Sequence, residues 1–241
     1  MSTERTLDPG KKKEFEKIIS SGYHNITGIA VQKDGRCVYE KYYQGYTATD
    51  TVHVASVTKS IFSALIGIAV AQGAIRSIDD KVLDFFPEHT VLQGEKSAQD
   101  VTIKNMLTMT APYKFKTEPY EAFFASENWM DAALDLLGGT GRAGKFQYSP
   151  IAGTHILSGI LVKATGQPVF DFAAFHLFSP LGITVGQNVI LHSKEEQLAF
   201  FQGKTVSGWV ADPQGINPAG WGLTLTPADM AKIGQLYLDN G

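Results

Sequence analysis

The chain has 241 residues, of which 44% are hydrophobic and 19% charged. That is an ordinary soluble globular composition, long enough for one large or two small domains around a sizeable core. A net charge of −3 indicates no basic surface for nucleic acid, and no nucleic-acid partner is expected. Cys37 is the only cysteine, so no internal disulfide can form. The opening stretch Met1–Lys17 is polar and has no apolar run, so no leader peptide is read there. A cytoplasmic location is expected, or an extracellular one if a leader has already been removed. The apolar run Ile61–Ala71 is too short to span a bilayer and is interrupted by Gly67, so no membrane partner is expected.

In chain order, Lys11–Ser20 has the pattern of a short amphipathic helix with Phe15, Ile18 and Ile19 on one side. Two β-rich runs, Gly28–Gln32 and Cys37–Tyr43, flank Lys33-Asp34-Gly35-Arg36, and Asp-Gly between such runs signals a two-residue hairpin. Val52–Ala55 reads as a further short strand leading into Ser56. Behind it runs a helix that is apolar nearly all round, as a core helix is, and Gly73 stands where it should stop. Ile78–Pro87 reads as a turn and a short helix stopped by proline. Further helices are expected over Thr102–Met109 with Thr102 as cap, Trp129–Leu137, Ile151–Thr165 with Gly166 after it, and Val169–Leu177. Val206–Asn217 reads as loop. Thr226-Pro227-Ala228-Asp229 gives a cap, a proline at the first helical position and an acid at the third, opening a helix through Leu238.

The candidate chemistry starts at Ser56 and Lys59. Three residues apart on a helix, they share a face. A lysine held at a buried helix is desolvated, which lowers its pKa and frees the amine to act as a base. A serine hydroxyl needs such a neighbour to become a nucleophile. The other reading is a serine N-cap followed by a surface lysine. Tyr148, at a loop–helix junction, is the second candidate. With a lysine ammonium nearby its phenol can serve as acid or base, while standing alone it is a half-buried surface aromatic.

His53, three residues before Ser56, reads as a strand-end histidine satisfied by backbone. Cys37 reads as strand packing. The six histidines show no H-E-x-x-H and no clustered spacing, so no metal or other cofactor is expected. Gly139–Gly144 fits G-x-G-x-x-G literally, but a nucleotide loop needs a strand before it and a helix directly after it. Here a helix precedes, and Phe146 stands where a P-loop needs Ser or Thr. A plain loop is expected. No G-x-S-x-G elbow is present.

Taken together, several segments resemble the serine β-lactamase and penicillin-binding-protein superfamily. The nearer likeness is to its class C β-lactamase-like branch of esterases and 6-aminohexanoate-dimer-type hydrolases. They are Val54–Ser60, Thr102–Thr110, Phe146–Ser149 with Gly153 and Leu157-Ser158-Gly159, Pro180–Ile183, Gly220–Leu223 and Thr226–Ala231. The resemblance implies an α+β fold, a β-lactamase/transpeptidase-like antiparallel sheet flanked by helices with an inserted, mostly helical domain. On that plan 1–60 opens the sheet domain, 61–220 is mostly helical and carries the nucleophile, and 221–241 returns toward the sheet.

The resemblance also implies that Ser56 is the acylated nucleophile, Lys59 its proton acceptor or orienter, and Tyr148 the partner base. The backbone N–H of Ser56 would be half of an oxyanion hole. Two departures stand out. Pro150 takes the place of the Asn in the family's Tyr-x-Asn, and the third motif, K-T-G or H-x-G on a late strand, is missing. Lys204-Thr205-Val206-Ser207-Gly208 is a look-alike at the wrong spacing. The expectation is a chain cut short before its last strands, with little or no activity, whose unpaired sheet edges favour self-association. The implied function is a serine acyl hydrolase acting on a small-molecule ester or amide. A β-lactamase or D,D-peptidase acting on a β-lactam or peptide, and a non-catalytic binder, are the alternatives.

Overall fold

The computed structural model describes residues 8–90, 94–191, 194–203 and 207–241. In chain order its elements are α1 (Pro9–Gly22), β1 (Gly28–Lys33), β2 (Arg36–Tyr42), β3 (Val52–His53), α2 (Val57–Ala71), α3 (Ile103–Leu107), α4 (Tyr120–Phe124) and α5 (Trp129–Leu136). They continue with α6 (Ala152–Thr165), α7 (Val169–Ala173), β4 (Asn188–Ile190), α8 (Lys194–Gln202), β5 (Trp209–Ala211), β6 (Thr224–Leu225) and α9 (Pro227–Leu238). The chain forms two compact units. One is drawn from Met1–Val52, Ala199–Ser207 and Thr224–Gly241, the other from His53–Leu198 and Gly208–Leu223.

In the first unit, α1 starts two residues earlier than its apolar spacing suggests. Asp8 is the reason: its carboxylate accepts from the N–H groups of Gly10 and Lys11, both at 3.0 Å, and Pro9 fills a first position where no N–H is needed. The helix buries Ile19 and sets Phe15 edge-on against Tyr39, ring centres 5.4 Å apart. Strands β1 and β2 pair antiparallel from Gly28↔Tyr42 to Lys33↔Arg36. Asp34 and Gly35 both adopt positive φ, 53° and 72°, the handedness a two-residue hairpin needs to match strand twist. Helix α9 opens as its sequence dictates, with Thr226 Oγ1 accepting from the Asp229 N–H at 3.1 Å and Pro227 behind it. A Cβ on Gly28 would come within 2.8 Å of Pro227 and 2.9 Å of Tyr42, so α9 lies on β1 only because that strand begins with glycine.

The second unit is built on α2 and α6. Helix α2 buries Thr58, Ile61, Phe62, Leu65, Ile66 and Ala69, and α6 buries every residue from Ala152 to Leu161. Helices apolar on all sides are core helices, and these two pack against each other. Gly73, at φ 75°, follows the end of α2, and Gly166, at φ 67°, caps α6. Thr102 and Asn105 form a reciprocal capping box on α3. Helix α5 comes close to α6 at Gly159, where a Cβ would lie 2.6 Å from the Met130 methyl. The wholly buried Trp209 of β5 packs on Phe62 and Phe178, with ring centres 6.3 Å away in each case. His155 and Asp212, both fully buried, join at 2.9 Å and tie α6 to the segment after β5.

Several elements depart from the sequence reading. Val206–Asn217 is not all loop. Its β5 pairs in parallel with β4, Asn188↔Trp209 through Ile190↔Ala211. All three residues of β5 are buried, so the strand has no alternating pattern to read. Val169–Leu177 is α-helical only to Ala173, and Ala174–Phe178 widens into a π turn. The turn before Pro87 is a 3₁₀ turn over Val82–Phe85. Helix α4 has too few residues to show a period. No helix among the described residues is long and apolar enough to cross a membrane. Replacing Thr226 by Ala should cost about 1 kcal/mol by leaving the first turn of α9 without its cap, a loss readable as a lower thermal midpoint.

Candidate active site

Ser56 stands at the N-cap position of α2 but does not cap it. Its side chain makes no bond to the helix N–H groups, and its backbone is already helical, φ −74° and ψ −2°. The preceding Ala55 has φ 45°, a left-handed conformation that strains a residue with a Cβ. This sharp entry leaves the hydroxyl exposed. Lys59 Nζ lies 3.0 Å from Ser56 Oγ, and Tyr148 Oη lies 3.1 Å from the same oxygen. The ammonium also sits 5.6 Å from the centre of the Tyr148 ring. The three residues singled out in the sequence are thus gathered around one oxygen atom, all within the second unit.

Lys59 has a second partner, the Gly220 carbonyl, to which Nζ donates at 2.7 Å. Burial pushes its pKa down to about 8, and the charge of Glu118 opposes that fall. Gly220 must be glycine for this approach. A Cβ there would collide with Thr154 Oγ1 and the Pro150 carbonyl, and would stand 3.2 Å from Nζ. Two more bonds fasten the same segment to the entry of α2. The Val54 N–H donates to the Leu223 carbonyl at 2.9 Å, and the Gly222 N–H donates to His53 Nε2 at 2.9 Å. His53 therefore is a strand-end histidine held by backbone, and burial pushes its pKa down to about 4.

Tyr148 is placed by the start of α6. That helix has no side-chain cap of its own, since Ile151 occupies the N-cap position. The buried Glu118 supplies one from the chain just before α4. Its carboxylate accepts from the Ala152 N–H at 2.8 Å, the Ile151 N–H at 3.2 Å and the Ser149 hydroxyl at 2.7 Å. Ser149 Oγ in turn accepts from the Gly153 N–H at 2.9 Å. Sequence reading missed Glu118, because an acid 33 residues upstream of a helix carries no local signal.

The remaining sequence candidates fall away from this group. Gly139–Gly144 follows α5 and is followed by coil up to Ser149, so the strand–loop–helix context of a nucleotide site is absent there. The Gly144 N–H is spent on the Thr110 carbonyl at 2.9 Å. Cys37 lies in β2 but is exposed, which corrects its reading as a packing residue. In the K-T-G look-alike, Lys204, Thr205 and Val206 lie outside the described residues. No group of three or more His, Cys, Asp or Glu side chains gathers as a metal site among the described residues.

A family model described as Beta-lactamase matches residues 15–241. The chain belongs to that family. It is 24% identical over 220 residues to the 6-aminohexanoate-dimer hydrolase of Paenarthrobacter ureafaciens, which covers 86% of this chain and 50% of that one. The structure superposes on the octameric penicillin-binding protein homologue from Pyrococcus abyssi with a TM-score of 0.64 at 23% identity, over 97% of this chain and 57% of that one. It superposes on the class C beta-lactamase from Rhodobacter sphaeroides with a TM-score of 0.63 at 19% identity, over 97% and 66% of the two chains. These likenesses establish the expected α+β, β-lactamase/transpeptidase-like fold. The chain spans about half the length of the curated relatives it matches.

His53 makes a pH test of this assembly. Its ordinary value of 6.5 is lowered to about 4 in the fold, so the unfolded chain binds the proton first on acidification. The stability contributed by neutral His53 is complete above pH 6.5 and is lost as pH falls through 4. His53→Gln keeps an acceptor for the Gly222 N–H and does not titrate. Thermal midpoints measured from pH 7 to 4 should therefore fall less steeply in the variant than in the parent.

Proposed function

We propose that this protein is a serine acyl hydrolase that cleaves a small-molecule ester or amide through an acyl-Ser56 intermediate. The observation that carries the reading is the convergence of Lys59 Nζ and Tyr148 Oη on Ser56 Oγ, at 3.0 and 3.1 Å. A lysine titrating near 8 has an appreciable neutral fraction at physiological pH. A neutral amine has two N–H donors and one lone pair. One donor suits the Gly220 carbonyl, and the lone pair is then available to the serine hydroxyl.

In acylation, Ser56 Oγ bonds to the substrate carbonyl carbon as its proton passes to Lys59. The tetrahedral oxyanion would be met by the main-chain N–H of Ser56. When it collapses, the bond from carbon to the leaving oxygen or nitrogen breaks, and the leaving group takes up the proton by way of Tyr148. In deacylation, water loses a proton to the Lys59–Tyr148 pair and attacks the acyl carbon. The acid departs and Ser56 regains its hydrogen. The base function is assigned to the pair, because both groups reach the same Ser56 oxygen. Pro150 argues for esters and simple amides over β-lactams and peptides. It offers no side-chain amide to hold a substrate carbonyl at that place.

A fluorophosphonate probe and a fluorescent penicillin test this directly. The fluorophosphonate should label the protein with loss of fluoride, and Ser56→Ala should abolish the label. The labelling rate should rise with pH around a midpoint near 8, since the neutral amine is the active form. Lys59→Ala should slow it by about 10²–10⁴. Penicillin should label far more slowly. Label that survives Ser56→Ala would sink the proposal. Probe binding without label, unchanged by that substitution, would instead favour a non-catalytic binder.

A further inference from the structure

We propose that Glu118 is the positioning residue of this site: its carboxylate fixes the loop that brings Tyr148 to Ser56 and sets a negative charge behind the Pro150–Gly220 contact beside Lys59. The first half follows from the start of α6. A helix entered through Pro150-Ile151 gets no cap from its N-cap side chain, and Ser149 covers only the Gly153 N–H. Glu118 reaches in and accepts from Ile151 and Ala152, while also accepting from the Ser149 hydroxyl. Ser149 is the residue next to Tyr148, and its Oγ, held by Glu118, receives the Gly153 N–H. Tyr148 itself is 49% exposed, so little packing holds its ring. Its reach to Ser56 Oγ depends on a backbone in which Ser149, Ile151, Ala152 and, through Ser149, Gly153 are bonded to this one carboxylate. The place is tightly filled. A Cβ on Gly153 would lie 2.7 Å from the Tyr113 ring carbon and 2.9 Å from Ser149 Oγ.

The second half follows from charge. The groups in contact with Lys59 are the Ser56 hydroxyl on its own helix, the Tyr148 ring from the loop before α6 and the Gly220 carbonyl. Glu118 stands behind them, bonded to the Ile151 N–H next to the Pro150 carbonyl that crowds Gly220, and its charge reaches Lys59 from there. Residues 220–223 carry no titratable side chain. His53, at the entry of α2, is neutral above about pH 4. Around Glu118 the titratable neighbours include Tyr113 and Tyr120, both driven toward the neutral phenol chiefly by burial and also by the Glu118 charge, with a Ser149 hydrogen bond opposing this at Tyr113. Glu118 is thus the anion that acts on Lys59, in the direction that favours the ammonium. It also lies at the N-terminus of a helix of 14 residues, where a negative charge is favoured. The carboxylate therefore opposes the fall in proton affinity that burial imposes on this lysine.

The inference rests on the acyl-transfer reading for its catalytic meaning, and two readouts separate the two ideas. The first needs no activity: the Lys59 titration, followed by its ¹³Cε shift and assigned by comparison with Lys59→Arg. Glu118→Gln keeps an oxygen acceptor but removes the charge. It should lower the Lys59 midpoint by up to about one unit. Glu118→Asp keeps the charge and should leave that midpoint near its original value, while its shorter reach loosens the Tyr148 loop.

The second readout is fluorophosphonate labelling of Ser56 against pH. Glu118→Gln should shift the rising limb to lower pH. Glu118→Asp should keep the limb in place and lower the plateau by about tenfold or more. A carboxylate that merely stabilised α6 would lower the thermal midpoint of both variants and move neither limb nor Lys59 titration. That result, or an unmoved Lys59 midpoint in Glu118→Gln, overturns the proposal. If the parent takes no label while the Lys59 midpoint shifts as described, the acyl-transfer reading fails and the assignment of the charge to Glu118 stands.

Discussion

The arrangement depends on one burial: a lysine amine held near the top of α2, partly out of water, between a serine oxygen and a backbone carbonyl. In water Lys59 would hold its proton to about 10.5, and burial lowers that to about 8. The same burial costs stability wherever the ammonium is present in the folded state. Everything around Lys59 offsets part of that cost. The Gly220 carbonyl accepts from it, the Tyr148 ring presents its face to it, and Glu118 lends it a counter-charge. The wholly apolar stripe behind it, Ile61, Phe62, Leu65 and Ile66, supplies the rigid floor on which the amine stands. A surface helix could hold the same Ser and Lys at the same spacing, but its lysine would stay charged and inert.

The geometry that delivers this burial is a stitch between two distant pieces of chain. Residues 220–223 run past the entry of α2 and bond to it at three successive places: Gly220 to Lys59, Gly222 to His53 and Leu223 to Val54. Both glycines are required, for different reasons. Gly220 has no room for a side chain, and Gly222 combines φ 88° with a Cβ position only 2.8 Å from that of Val210. The segment is anchored from behind by Trp209, whose indole N–H donates to the carbonyls of Pro218 and Trp221 at 3.1 and 3.2 Å. A core tryptophan thereby fixes the backbone that fixes the lysine.

Much of this was legible in the sequence, and the part that was not shares a cause. Local rules located the hairpin at Asp34-Gly35, the ends of α2 and α6 at Gly73 and Gly166, and the caps at Thr102 and Thr226. In each, one residue's chemistry decides the conformation of its own neighbours. The Ser56–Lys59 pairing is local in the same sense, since an i, i+3 spacing closes on itself in a helix. Tyr148 could be named from its loop–helix junction, but only the family likeness paired it with Ser56, because nothing near it in sequence says which loop it faces. Glu118 left no trace at all. Its partners lie 31 to 34 residues onward, and its own surroundings, Lys116-Thr117-Glu118-Pro119, read as an exposed polar turn. Strands β4 and β5 were equally hidden. Three residues buried on both faces have no period, and a parallel partner about twenty residues away has no turn to announce it.

Four departures from local preference meet at the candidate site. Ser56 occupies an N-cap without capping. Ala55 sits in a conformation that costs about 1–2 kcal/mol for a residue with a Cβ. Lys59 is charged and more than half buried. Helix α6 begins without a cap of its own and borrows a carboxylate. Any one of these would be unremarkable as a defect. All four meet around a single hydroxyl; α1, α3, α5 and α9 carry ordinary caps from their own sequence, α4 and α7 begin without a side-chain cap, and Gln44 and Met109 also take positive φ. A stability-optimised chain would let Ser56 cap α2, relax Ala55 to φ below zero and turn Lys59 toward solvent. Each of those changes would separate the amine or the phenol from the serine oxygen. The strain and the unmet local preferences are therefore best understood as the condition for keeping three polar groups in contact at the mouth of an apolar helix.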